Sequence, residues 1–449
     1  VRNGLNNPEL IRNVWLELTR HRLIVTPLVL LLVFGTQIDE SGLLASLNLM
    51  SSIAIVIFTF ATILWSIGLA YNSLAEEVRQ KTWDWQRVSA MNPWDMVWGK
   101  ILGSTSFAWY IGLPCLAVVA FSSERRVIWF LHFDKVYTVT LLVITALAAQ
   151  GFGLLSALVA YKNNLILKKA NGFVFIFIIL AWYLIGINPK FSDTVYWFGH
   201  IVAGRYFLLL SLVLFTFWIW LACYRLMQQA LTIKCKPWAA ALFAVFLSIY
   251  LAGKEAISTI EVTDKLLLFG FFISGLITYF GAWSEQASII TIKRIVLLIK
   301  QNQLPRALEE TPYFVITLVL TLLCLMGLLS LYSPHYSTGI SGKYIENINV
   351  KMELAVLFLL MLRDIGILIY CSLRAKTDRT RTTAIFYIAL LDLLLPLVLP
   401  RQLVGFVFPF QMSGKAVEWG IVIALIHVSV VYLLIRRRLN TLSYKSVKT

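Results

Sequence analysis

Apolar runs long enough to cross a bilayer recur along this whole chain, and they constrain its fold more than any single motif. In hydrocarbon every backbone N–H and C=O must be bonded within the spanning segment, so a run of about 20 such residues has to be a helix. Candidate spans are Leu23 to Phe34, Leu44 to Tyr71, Ile101 to Phe121, Val136 to Tyr161, Phe173 to Ile187 and Tyr206 to Tyr224. They continue with Ala239 to Ala252, Leu266 to Ala282, Tyr313 to Tyr332, Leu354 to Cys371, Ala384 to Leu399 and Trp419 to Ile435. The first, fifth and seventh are short enough to be tilted, broken or re-entrant. With 59% hydrophobic residues and a mean hydropathy of +0.78, the expected fold is an all-α polytopic membrane protein of about twelve transmembrane helices. No large soluble domain fits between them.

The net charge of +16 follows from topology. If both termini are cytoplasmic, most of the 39 Lys and Arg fall in cytoplasmic segments, which is the positive-inside pattern of a multi-pass plasma-membrane (bacterial inner-membrane) protein. The loop TQIDESG, Thr36 to Gly42, has acids and no base and is expected outside; the basic tail RRRLNTLSYKSVKT is expected inside. Nucleic acid is therefore not an expected partner, whereas membrane lipid is. Five cysteines (Cys115, Cys223, Cys235, Cys324 and Cys371) lie in or beside helices with no CxxC or His/Cys metal spacing, as reduced structural residues would. The start lacks the features of a signal peptide, so the first span is expected to act as the insertion signal.

Ahead of that span, Asn7 can cap a helix opened by Pro8, with Leu10, Ile11, Val14, Trp15 and Leu18 on one face. Glu9, Arg12, Asn13, Glu17 and Arg20 occupy the other. This is the pattern of an amphipathic helix lying along the cytoplasmic interface. Cut near Arg225, the chain gives two halves, 1–225 and 226–449, of six expected spans each. Each half has its longest cytoplasmic insertion between its second and third spans: 75–100 in the first, 283–312 in the second.

The first insertion, AEEVRQKTWDWQRVSAMNPWDMVWGK from Ala75 to Lys100, resembles the cytoplasmic segment of type-2 ATP-binding-cassette (ABC) exporter permeases. The order matches: the acids Glu76 and Glu77, then Thr82, Trp83 and Asp84, then Ser89, Pro93, Trp94 and Asp95, closed by Gly99 and Lys100. Lys81 stands where the family usually has glycine, and Ala90 where proline is common. The resemblance implies that Glu76, Glu77, Arg79, Thr82, Trp83, Asp84, Trp85, Arg87 and Pro93 couple the chain to a cytoplasmic ABC ATPase, present in two copies. Indoles would seat in a groove on that ATPase and the charges would orient the contact. In the second half Gln301, Leu304, Arg306, Glu309 and Glu310 would form a degenerate counterpart. ATP and Mg would be bound by the partner, since this chain has no P-loop; its nearest string, SGKYIEN at Ser341, has Tyr344 after the lysine. The chain itself is then a transporter subunit, without enzymatic activity, that exports a substrate.

Three charges fall inside expected spans: Arg363 and Asp364 in the tenth and Asp392 in the eleventh. At the bilayer centre each costs about 2.5–3.5 kcal/mol on insertion scales, so they should be paired and face protein or water. Neighbours on a helix point about 100° apart, which makes Asp392 the expected partner of Arg363. The cluster suits either a polar patch or proton relay in a transport path, or glue between helices. A secondary transporter using these charges, or an integral-membrane enzyme acting on lipid or glycan, are the competing readings. The five histidines are dispersed, and no catalytic or metal-binding constellation is visible.

Overall fold

The computed structural model describes residues 7–37, 43–89, 91–122, 126–128, 131–133, 135–162, 194–233, 236–253, 262–285, 289–331, 347–373, 378–407, 409 and 417–445. The fifth expected span, Phe173 to Ile187, the SGKYIEN string, Cys235 and Ala90 lie outside them. The described chain is overwhelmingly α-helical. Seven of its helices are long and apolar enough to cross a membrane, or nine if two bent pairs each count as one span. It is an all-α chain of membrane-protein character. Two short strand pairs are the exceptions; in one, Thr194–Trp197 turns into His200–Ala203 through Phe198 and Gly199, both at positive φ.

The chain divides into two compact units: 1–195 with 202–235, and 196–201 with 236–449. Arg225, where the halves were expected to part, sits inside a helix that continues to Ala230.

In the first unit, α1 (Pro8–Glu17) begins as its Asn-Pro start dictates: the Asn7 side chain accepts from the Glu9 and Leu10 backbone N–H groups, and Pro8 fills the first helical turn. Helix α2 (Arg20–Gly35) leaves it at 63°. A long helix follows, α3 (Leu43–Phe58) and α4 (Ser66–Arg79), joined without a break by a π-helical turn, Thr59–Trp65. The wide turn has a local cause: the Thr62 carbonyl accepts from Ser66 Oγ and from Gln150 Nε2, and Gln150 Oε1 in turn accepts from Trp109 Nε1 at 3.2 Å.

After the short α5 (Trp83–Val88), the same Asn-Pro device starts α6 (Pro93–Ser104), with Asn92 as cap. The third expected span, Ile101 to Phe121, needs correction. The backbone breaks at Thr105, and α6 meets α7 (Ser106–Phe121) at 61°. Ser104 and Thr105 donate their hydroxyls back to the Lys100 and Ile101 carbonyls, at 2.6 and 2.7 Å, and such bonds bend helices. Hydropathy continues across this corner and so conceals it. Helices α8 (Lys135–Lys162) and α9 (Gly204–Ala230) complete the unit; Leu74, Met96, Ile101, Leu154, Leu158 and Met227 belong to one buried core within it.

In the second unit α10 (Trp238–Gly253) is short, and α11 (Val262–Ser284) packs on α14 (Tyr313–Leu331) through buried hydroxyls. Thr321 donates to Ser274 Oγ and Thr278 to Thr317 Oγ1, both at 2.9 Å. Between them run α12 (Ile289–Lys300) and the short α13 (Leu304–Glu310). Then come α15 (Asn347–Ser372), α16 (Asp378–Ala389), a second π-helical turn at Leu390–Leu394, α17 (Leu395–Val398), α18 (Arg401–Val407) and α19 (Val417–Lys445). The eleventh expected span, Ala384 to Leu399, is thus a short helix with a π turn at its middle.

Candidate functional site

The segment from Ala75 to Lys100 is built around one buried lysine. Lys100 lies on α6 with its side chain fully buried; its ammonium donates to Glu9 Oε1 of α1 at 2.9 Å and to Glu77 Oε2 at the end of α4. Gln86 of α5 accepts a third, long bond at 3.4 Å. Arg12 bonds both acids, reaching Glu9 at 2.9 Å, and Gln86 Nε2 donates to Glu77 at 2.9 Å. Two carboxylates and two cations leave no net charge. A buried ion pair of this kind is held by its hydrogen bonds, and removing one member strands the others out of water.

Close backbone approach makes this possible. Gly99 and Gly103, four apart on α6, face Glu9 and Asn13, four apart on α1. A Cβ on Gly99 would lie 2.7 Å from Glu9 Cβ, and one on Gly103 2.7 Å from Asn13 Cβ. Small residues at this spacing let helix backbones meet. Asn13 Nδ2 then donates to the Gly99 carbonyl at 3.2 Å, and Asn7 Nδ2 to the Asp95 carbonyl at 2.6 Å. The polar face of α1 is therefore turned into the protein, with Glu9 and Asn13 buried, while Ile11, Trp15 and Leu16 are exposed.

Between α4 and α5 the backbone turns through Lys81, whose φ is +59°. Lys81 N–H bonds the Val78 carbonyl and Thr82 N–H the Glu77 carbonyl, a Schellman cap with Lys81 at its left-handed position. This is the position at which the resembled family usually carries glycine, and the turn forms with lysine in place. Helix α5 then presents two opposite faces. Trp83 is 2% exposed, packed edge-on against Tyr161 with its ring centroids 6.0 Å apart, and under the Lys100 ammonium. Trp85 and Val88 are 83% and 85% exposed, flanked by the Asp84–Arg87 pair at 3.5 Å.

The expected roles change accordingly. Trp83 is not available to a partner, because its indole is part of the core; nor is Glu77 free to orient one, because it is committed to Lys100, Arg12 and Gln86. Glu76 and Arg79 pair with each other at the surface, Thr82 donates to the Glu77 carbonyl, and Pro93 is buried at the start of α6. The outward group is Asp84, Trp85, Arg87 and Val88. Glu9, Arg12, Asn13 and Gln86 were not expected at the site. For Glu9 and Asn13 the signal was the repeated Asn-Pro start and the four-residue spacing they share with Gly99 and Gly103; Arg12 and Gln86 had none.

The second unit repeats the local design. Asn302, at φ +57°, caps α12 by the same pair of bonds, Asn302 N–H to Ile299 and Gln303 N–H to Leu298. In both units the short helix begins two residues after the left-handed residue: Trp83 after Lys81, Leu304 after Asn302. Gln301, Leu304 and Arg306 are exposed; Arg306 donates to Gln303, Glu310 pairs with Arg294 at 2.9 Å, and Glu309 is half-buried.

The three charges expected inside spans form a separate cluster. The Arg363 guanidinium donates to Asp364 Oδ1 from Nε at 2.9 Å and Nη2 at 2.7 Å, and also bonds Asp392 from across to the π turn. The 100° offset was expected to keep Arg363 off Asp364; its long side chain curls back and closes that gap. Tyr279 OH of α11 donates to the other Asp364 oxygen at 2.7 Å. Arg363 Nη1 and His427 Nδ1 are buried without a hydrogen-bond partner among the described residues. No group of three His, Cys, Asp or Glu among the described residues is arranged to hold a metal ion.

Compared with protein-family models, curated proteins and solved structures, the chain finds no match in any of the three.

Proposed function

We propose that this chain is the membrane subunit of an ABC-type exporter, driven by ATP hydrolysed in a separate cytoplasmic ATPase bound as two copies. In this reading both termini are cytoplasmic, the membrane is the plasma membrane, and about twelve spans form two six-helix halves that part after α9, past Arg225. The observation that carries it is the construction of α5. A force-receiving element must be stiff, attached to more than one spanning helix, and apolar on its free face. Trp83 and the Lys100 network fasten α5 to α1, α4 and α6, and Trp85 and Val88 remain outside. Trp anchors bury a large area with few rotatable bonds, which suits a contact that must carry load. A push on Trp85 would reach α4 and α6 together, because Glu77 and Lys100 tie their ends. The matching turn and short helix at Asn302 to Glu310 support a second contact of the same kind.

The test is affinity purification of the full chain from its native membrane, followed by assay for Mg-dependent ATPase activity. Activity that copurifies with the wild-type chain and is lost in Trp85→Asp and Val88→Asp variants of unchanged stability supports the reading. Absence of any copurifying ATPase overturns it.

The Arg363–Asp364–Asp392 cluster favours a second reading, secondary transport coupled at these charges. Transport by the purified chain alone in vesicles, driven by an ion gradient without ATP, would select it.

A further inference from the structure

The first helix is amphipathic in the opposite sense to a helix on a soluble protein. Its polar side chains Glu9 and Asn13 are spent inside the unit, and Ile11, Trp15 and Leu16 face outward, with Trp15 83% exposed. Water is a poor occupant for that face, since burying each such side chain is favourable by about 1.5–3 kcal/mol. Helix α2 identifies the occupant. It is apolar, joins α1 through two residues, and turns Ile24, Leu28, Leu31 and Leu32 outward, with Leu30 its buried residue. An apolar helix that exposes such a surface fits lipid better than water. Since α1 leaves it at 63°, an upright α2 sets α1 about 27° from the bilayer plane, at headgroup depth.

Charge at the corner selects the lipid. Glu17 is neutralised by Arg22 at 2.7 Å, and the Arg22 guanidinium stacks over Phe107 at 4.9 Å. Arg12 is exposed, but its guanidinium is engaged by Glu9 and Glu77. Arg20 and His21, at the start of α2, are exposed, and an upright α2 would set them at headgroup level. A guanidinium donates two parallel bonds to phosphate oxygens, and an exposed Trp beside it is the usual interfacial anchor. We infer that the α1–α2 corner is a binding site for an anionic phospholipid headgroup, with Arg20 and His21 on the phosphodiester and Ile11, Trp15 and Leu16 in the acyl boundary. The site does not rest on the exporter reading, and its test measures no ATPase.

The full chain is reconstituted in vesicles of equal phosphatidylglycerol and phosphatidylcholine, with a photocrosslinking amino acid replacing Leu16, and the captured molecule is identified by mass spectrometry. One basic residue at an anionic surface gives about fivefold enrichment. Capture of phosphatidylglycerol about fivefold over phosphatidylcholine, falling to parity in Arg20→Gln/His21→Gln and kept in Arg20→Lys, supports the site. Equal capture by the wild type, enrichment that survives the double substitution, or capture of protein in place of lipid overturns it. Arg20 and His21 are exposed, so the double variant is expected to keep the wild-type elution volume.

Discussion

Lys100 Nζ stands 2.9 Å from Glu9 Oε1 across 91 positions of sequence, and neither side chain is more than 3% exposed. This contact turns a helix that sequence places at the membrane surface into part of the α4–α6 framework.

Replacing Lys100 by Met removes a cation that holds two acids. Lys100→Met is expected to destabilise the first unit by about 3–5 kcal/mol, and adding Glu9→Gln should recover part of that loss. Thermal unfolding in detergent of the two single variants and the double variant checks it; strictly additive effects would contradict the coupling.

The Gly99 contact is tighter than any side chain can fill. Gly99→Val is expected to lift α1 away from α6 and cost about 1–3 kcal/mol, because the new atoms meet Glu9 and the Leu10 backbone. Thermal unfolding in detergent checks it, with Gly99→Ala as the smaller step: Gly99→Val should melt below Gly99→Ala, and Gly99→Ala below the parent.

Lys81 holds a left-handed conformation that disfavours a side chain. Lys81→Gly is expected to stabilise the first unit by up to about 1 kcal/mol, relief of strain being offset by unfolded-chain entropy. Asn302→Gly should do less, since Asn tolerates that region. Denaturant titration of both variants compares them.

The two tryptophans of α5 separate stability from contact. Trp83→Ala should destabilise by about 3–5 kcal/mol, and Trp85→Ala by less than about 0.5 kcal/mol. If the exporter reading holds, Trp85→Ala alone loses copurifying ATPase at full stability.

Arg363 holds two acids in the second unit. Arg363→Ala is expected to lower the yield of folded protein, and Arg363→Ala with Asp364→Asn and Asp392→Asn to restore part of it, because the stranded charges are then gone. Yield after size-exclusion chromatography reports both.

Helix identity was legible in the sequence because hydropathy over about 20 residues has one structural outcome in a bilayer. The Asn7–Pro8 start was legible too, since capping is local. The corner at Thr105 was not: Ser104 and Thr105 are weakly polar, and only their hydroxyl back-bonds reveal the bend. For α5, composition showed two indoles and could not say which faced in; that was decided by Tyr161 and Lys100, distant in sequence. The Arg363–Asp364 bonds were discounted on helix geometry, which fixes Cβ directions and leaves a long side chain free to return.

The separation of Glu9 from Lys100 also sets an order of biogenesis. As the chain leaves the ribosome, Glu9 emerges some ninety residues ahead of the lysine that will neutralise it. Until α6 has arrived, α1 has Arg12 alone on its own helix to pair that acid, and a nascent chain stopped before Pro93 lacks every α6 group on which its first helix docks.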